Sequence, residues 1–123
     1  MIDDFAVTTD TVKSALQKGE QLFFVNVRHH TDWDTGLLKA RGALRIPDDE
    51  VEKHLDEIPA DRTVIIYSTC GDTASVAAAK ALERHGRKDV HPLLGGFKSY
   101  LEAGLPVQEI DRDRSTMRKL MFL

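Results

Sequence analysis

The sequence predicts one α/β domain built on a mainly parallel sheet with helices on both faces, and three observations predict it. Two runs, LFFVNV at residues 22–27 and TVIIYS at residues 63–68, are almost continuously apolar and rich in β-branched and aromatic residues. That is the pattern of strands buried on both faces, which belong to parallel sheets. Strand-like and helix-like segments alternate along the chain, as parallel strands joined by crossovers require. Finally, 123 residues, 41% of them hydrophobic, supply one core and leave no room for a second domain of useful size.

The elements follow in order. Residues 8–19 read as a helix: Thr9 or Asp10 offers a cap, Val12, Ala15 and Leu16 fall on one face, and Gly19 supplies the stop. The first buried strand comes next, then a polar stretch over residues 28–41. ALRI forms a short strand ended by Pro47, and DDEVEKHLDEI reads as a helix that opens on acidic residues and stops before Pro59. The second buried strand runs through TCGDT into an Ala-rich helix over residues 74–85, closed by Gly86. VHPLL gives a third strand, GG a turn, FKSYLEA a short helix and LPV an extended exit. The strands at residues 22–27, 63–68 and 90–93 are expected to be neighbours in one parallel sheet.

A net charge of −3 with 30% charged residues lacks the basic excess that binding to nucleic acid or to anionic membranes demands, so neither partner is expected. No apolar run approaches roughly 18 residues, and MIDDFAV is acidic where an export signal is basic, so the cytoplasm is the expected compartment. The histidines, carboxylates and cysteine show no metal-ligand spacing, and no cofactor is expected. The single cysteine, Cys70, cannot form an internal disulfide, which fits a reducing compartment or a thiol with a chemical task.

In parallel sheets ligands bind beyond the carboxyl ends of strands, which directs attention to the segments after Val27, Ser68 and Leu94. STCGDTAS places Cys70 between a buried strand and a helix N-terminus, where backbone N–H groups and the helix dipole favour an anion such as a thiolate. The competing reading is a small thiol packed inertly beneath the loop. Position alone does not choose between them.

The segments VNVR, DW and G, then RGALRIP, TVIIYSTCGDTAS and HPLLGGFKSYLEAGLPV resemble a rhodanese domain, whose pattern runs D-V-R, E-Y/F, G-A-x-x-I-P, I-V-x-Y-C-x-x-G-x-R-S and L-x-G-G-x-x-x-W-x-x-A-G-L-P-V. The likeness covers almost the whole chain. LLGGFKSYLEAGLPV is its most specific part, with Tyr100 in place of the usual Trp. The resemblance implies a central, mainly parallel five-stranded sheet flanked by helices, and sulfur transfer through a cysteine persulfide in the loop after the second buried strand.

The loop departs from the pattern. One register puts Ser68 at the nucleophile position, keeps Gly71, and sets Thr73 where the family has arginine, with Cys70 two residues further on; the other, shifted by two, lets Cys70 open the loop. Strand length favours the first register. The loop residues Thr69, Gly71, Asp72, Thr73 and Ala74, with Ser68, are the candidate substrate cradle around Cys70, and Arg28 is the nearest candidate cation, Arg41 and Arg45 being further ones. Asp72 is expected to repel an anionic donor and to oppose thiolate formation, which makes thiosulfate a poor substrate. Asn26 replaces the family's aspartate, and His29 and His30 read as solvated surface.

Residues 111–123, DRDRSTMRKLMFL, lie outside the family pattern. Ser115 can cap a short helix presenting Met117, Leu120 and Met121, which either packs back on the domain or forms a homodimer interface. Two functions stay open: a sulfurtransferase that takes sulfur from a small donor and passes it through Cys70 to a thiol acceptor, or a non-catalytic module that binds a protein partner or small anion after losing the nucleophile at Ser68. A phosphatase-like reading is set aside, because no arginine follows the cysteine before Arg84.

Overall fold

The computed structural model of the chain describes residues 4–28, 38–68 and 72–110. The elements in order are α1 (Thr9–Gln17), β1 (Leu22–Arg28), β2 (Leu38–Ala40), β3 (Leu44–Pro47), a 3-10 segment (Val51–Glu57), β4 (Thr63–Ser68), α2 (Thr73–Arg84), β5 (Val90–Pro92), α3 (Gly96–Glu102) and β6 (Val107–Glu109). The main sheet has the order β3-β1-β4-β5, and every pairing in it is parallel. The three strands expected to be neighbours are neighbours.

Both faces of the sheet are covered, as continuous apolar strands demand. On one face Val25, Val27, Ile46, Val64 and Ile66 pack under Ala78, Ala79 and Leu82 of α2 and under Val51 and Ile58. On the other, Phe24, Ile65, Tyr67 and Leu93 meet Val12 of α1, Tyr100 of α3, Ala40 and Leu105. Each large aliphatic side chain so buried contributes about 1.5–3 kcal/mol of transfer free energy.

Four strands make the main sheet where five were expected, and the fifth place is held by one bridge. Val7 pairs with Leu93 in parallel: the Val7 N–H donates to Pro92 O at 2.9 Å, and the Leu94 N–H donates to Val7 O at 2.8 Å. A single residue suffices because His91 fastens the same segment from below. Its Nδ1 donates to Asp4 O at 2.6 Å and lies 3.1 Å from Phe5 O, and its Nε2 is 2.7 Å from Asp89 Oδ1. Thr63 Oγ1 donates to the other oxygen of Asp89 at 2.6 Å, so one carboxylate joins β4, β5 and the leading segment.

Three local readings are corrected. Thr8, rather than Thr9 or Asp10, caps α1, its side chain accepting from the Thr11 N–H at 3.3 Å. The acidic segment before Pro59 is 3-10 over Val51–Glu57 rather than α-helix, broken at His54 and without a side-chain cap. With buried residues only at its two ends, Val51 and Ile58, it lacks the continuous apolar face that steadies an α-helix. The polar stretch contains β2, which pairs antiparallel with β6; three-residue strands whose partners lie far apart in the chain leave no periodicity to read.

Burial pushes the Asp89 carboxyl up, but the hydrogen bonds from Thr63 and His91 outweigh it and hold the group below its ordinary 3.8. A depressed carboxyl stabilises the fold above its unfolded-state value and loses that contribution as pH falls through the folded-state value. Asp89→Asn should therefore be less stable than the parent near neutral pH, with the gap closing below about pH 4. Urea midpoints measured at about pH 7, 5 and 3 check this; a gap of constant size would contradict it.

Candidate functional site

Because the sheet is parallel, the carboxyl ends of β1, β4 and β5 open on one side of the molecule. β4 ends there at Ser68, which is buried and stands opposite Val27 in the β1 register. α2 begins at Thr73. The turn from strand to helix is thus made by four residues, of which Thr69, Cys70 and Gly71 lie outside the described residues.

The fourth, Asp72, immediately precedes α2. Its backbone carbonyl accepts the first helical bond, from the Val76 N–H at 2.9 Å, and a second from the hydroxyl of the fully buried Ser75 at 3.0 Å. Its carboxylate does not cap α2. Instead Oδ1 accepts the Gly95 N–H at 3.1 Å. Gly95 begins the turn into α3 with φ +83°, and Gly96 follows with φ +60°, left-handed conformations that favour glycine. Thr73 is exposed, whereas Ala74 is half-buried and packs against the core beneath α2.

The cations are distributed by strand alternation. Ser68 shares the α2 face with Val27, while Arg28 falls on the face of Phe24 and Tyr67. Arg28 is 4% exposed, and its carbonyl accepts the Asp48 N–H at 2.9 Å. Arg45, opposite Asn26 on β3, is half-buried, and the fields of Arg28 and Arg45 both reach Tyr67. Arg41 is exposed and acts on Tyr100. Arg28 therefore stands at the correct end of the sheet but on the face away from Ser68. His29 and His30 lie outside the described residues.

Beneath the Gly95 turn the floor is aromatic. Tyr67, Phe97 and Tyr100 stack with centroids 5.4–6.1 Å apart, and Phe24 meets Tyr100 edge-on at 5.7 Å. Burial pushes both tyrosines up to about 12. Their hydroxyls are structural: Tyr67 accepts the Ala40 N–H at 3.0 Å, and Tyr100 donates to Pro106 O. Tyr100 thereby fills the aromatic position of the closing motif and locks the AGLPV exit to α3. The sequence reading identified the junction and the double glycine separately but missed the Asp72 to Gly95 bond that joins them. An acidic residue just ahead of a helix is ordinarily taken as its cap.

Comparison with known proteins agrees with this fold. The family model of the Rhodanese-like domain matches residues 8–103. A protein called sulfurtransferase from Allochromatium vinosum is 28% identical over 101 residues, covering 82% of this chain and 92% of that protein. An HTH-type transcriptional regulator of Mycobacterium tuberculosis is 29% identical over 104 residues, covering 85% of this chain, which spans 45% of the regulator's length. Among solved structures, the rhodanese-like domain of an Anabaena sp. protein superposes with a TM-score of 0.72 at 23% identity, covering 90% of this chain and 85% of that one.

The Gly95 turn gives a direct test of the junction's support. A Cβ at Gly95 would sit 1.9 Å from Ser99 Oγ and 2.7 Å from Ser99 Cβ, at φ +83°. Gly95→Ala should cost at least about 1–2 kcal/mol, and adding Ser99→Ala should recover only part of it, because the 2.7 Å approach to the residue-99 Cβ and the left-handed strain both remain. Thermal denaturation of the two variants measures both effects; full recovery in the double variant would contradict this expectation.

Proposed function

The chain belongs to the rhodanese-like domain family, and we propose from that premise that it is a sulfurtransferase in which Cys70 carries sulfane sulfur as a persulfide. The observation that carries the reading is positional. The only cysteine of the chain falls among the four residues between the buried end of β4 and the twelve-residue helix α2. The name of the Allochromatium vinosum relative supports the activity.

In this reading the Cys70 thiolate attacks the outer sulfur of a donor R–S–SH. A bond forms between the two sulfurs, the donor's S–S bond breaks, and R–S⁻ leaves with its electron pair, giving Cys70–S–SH. An acceptor thiolate R′–S⁻ then attacks the outer sulfur, forming R′–S–SH and returning the Cys70 thiolate. The N-terminus of α2 favours the Cys70 thiolate, which attacks in the first step and leaves in the second. Ser68, Thr69, Gly71, Asp72, Thr73 and Ala74 supply the cradle, and Arg28 adds a buried positive charge at the same sheet end without facing the donor. The strand ending at Ser68 and the helix beginning at Thr73 support the register with Ser68 at the family's nucleophile position. Cys70 then acts from within the loop rather than from the strand end.

Cys70→Ser should reduce sulfur transfer from any donor to background, since no other residue of the chain can form a persulfide. Ser68→Cys combined with Thr73→Arg should raise transfer from thiosulfate about tenfold or more, because it adds a sulfur at the strand end and a cation for the donor's charge. Thiocyanate or hydrosulfide release assays on the purified chains measure both. Transfer that persists in Cys70→Ser would overturn the persulfide mechanism.

A further inference from the structure

We propose that His91 is a proton-operated latch: with both ring nitrogens protonated it fastens the leading segment, residues 4–7, to the outer edge of β5, and loss of one proton lets that segment go.

The ring is buried, and the atoms that meet its nitrogens are all acceptors. Nδ1 lies 2.6 Å from Asp4 O and 3.1 Å from Phe5 O, and Nε2 lies 2.7 Å from Asp89 Oδ1. Asp89 is a carboxylate, its second oxygen accepting the Thr63 hydroxyl at 2.6 Å. Neither a carbonyl nor a carboxylate can donate. A neutral imidazole has one N–H and one bare lone pair, so one side of the ring would set lone pair against lone pair. Only the imidazolium satisfies both sides at once.

The acceptors also decide which side fails. A hydrogen bond to a carboxylate is stronger than one to a neutral carbonyl, so the remaining proton stays on Nε2 beside Asp89, and the Nδ1 bond to the leading segment is the one lost. Among the described residues, the backbone pairing of that segment with its neighbour is the single bridge of Val7 to Leu93. Its release leaves the Pro92 carbonyl and the Leu94 N–H unpaired at an open sheet edge.

The charged groups around the ring come from every element packed there. Asp4 of the leading segment, Glu83 of α2, and Arg87 and Lys88 of the turn after α2 line a cavity of about 370 Å³ with His91, and Asp89 immediately precedes β5. Arg87 is committed elsewhere, its guanidinium donating to the Leu55 and Ile58 carbonyls. Asp89, in direct contact, dominates the balance of charge at the ring.

Nuclear magnetic resonance on the full chain tests the latch across pH. The Nδ1 and Nε2 shifts of His91 read the ring's protonation, and hydrogen exchange at the Val7 and Leu94 amides reads the latch. Exchange is corrected for its intrinsic rise with pH and taken against the amides of β4, which separates local release from global unfolding. The ring should carry both protons while the two amides are protected. As it loses one, their exchange should speed up about tenfold or more with the same midpoint.

His91→Gln, whose amide nitrogen donates toward one side only, should show the fast exchange at every pH. Asp89→Asn should hold the segment with no dependence on pH: its amide nitrogen can donate to Nε2 while its oxygen accepts the Thr63 hydroxyl, so a neutral ring keeps its Nδ1 proton for Asp4 O. A ring that is neutral while Val7 is protected would overturn the latch. So would exchange that ignores the titration of the ring, or a ring that keeps both protons until the whole chain unfolds. Should His91→Gln fail to fold, Asp89→Asn decides: exchange at Val7 and Leu94 that follows pH as steeply as in the parent would overturn the proposal.

Discussion

β4 has a parallel partner on each side and a packed layer on each face, and this double enclosure governs the rest of the molecule. Its residues Val64, Ile65, Ile66 and Tyr67 are each at most 1% exposed, so the strand has no tolerance for slippage: a one-residue shift would exchange the side chains bound for α2 with those bound for α3. The neighbours β1 and β5 are also parallel to it. The chain must therefore leave β4 at the same edge where β1 and β5 end and return through a helix. The junction before α2 follows from that requirement, and any chemistry placed there inherits a strand end fixed by the core and a helix N-terminus fixed by Ala78, Ala79 and Leu82.

A second fixed object lies beside the junction. The stack of Tyr67, Phe97 and Tyr100 couples β4 to α3, while Tyr67 and Tyr100 spend their hydroxyls on Ala40 and Pro106. The glycine turn that opens α3 is consequently placed with respect to β4, and Asp72 ties it to the start of α2. Helix start and glycine turn are thus tied to one another at the end of the sheet where β4 stops. Function in a parallel sheet is set by such local ties more than by the fold, because the fold supplies the location and the local residues supply the chemistry.

Much of the scaffold was legible in the sequence, for physical reasons that differ by element. β1 and β4 declared themselves because burial on both faces leaves no polar position to interrupt the run, and α2 because alanines pack closely on a sheet without losing helix propensity. The closing motif was legible because its glycines and aromatics each meet a separate constraint: left-handed φ at Gly95, stacking at Phe97 and Tyr100, and the end of α3 at Glu102 followed by left-handed Gly104. The pairing of β2 with β6, the bridge at Val7 and the Asp72 to Gly95 bond were not legible. Each joins segments that lie far apart in the chain, through one to three backbone groups that leave no trace in composition or period. The orientation of Arg28 was concealed for a different reason: alternation along β1 shows which face it takes only once Phe24 and Val27 are assigned to opposite layers.

The central claim is that this end of the sheet serves a sulfur-carrying Cys70. Intact-protein mass spectrometry after brief incubation with an organic persulfide, followed by peptide mapping, tests it most directly. The account predicts a gain of one sulfur atom on the peptide containing Cys70, removed when a thiol acceptor is added. A chain that gains no sulfur while folded, although its thiol is intact and modifiable after unfolding, would contradict it.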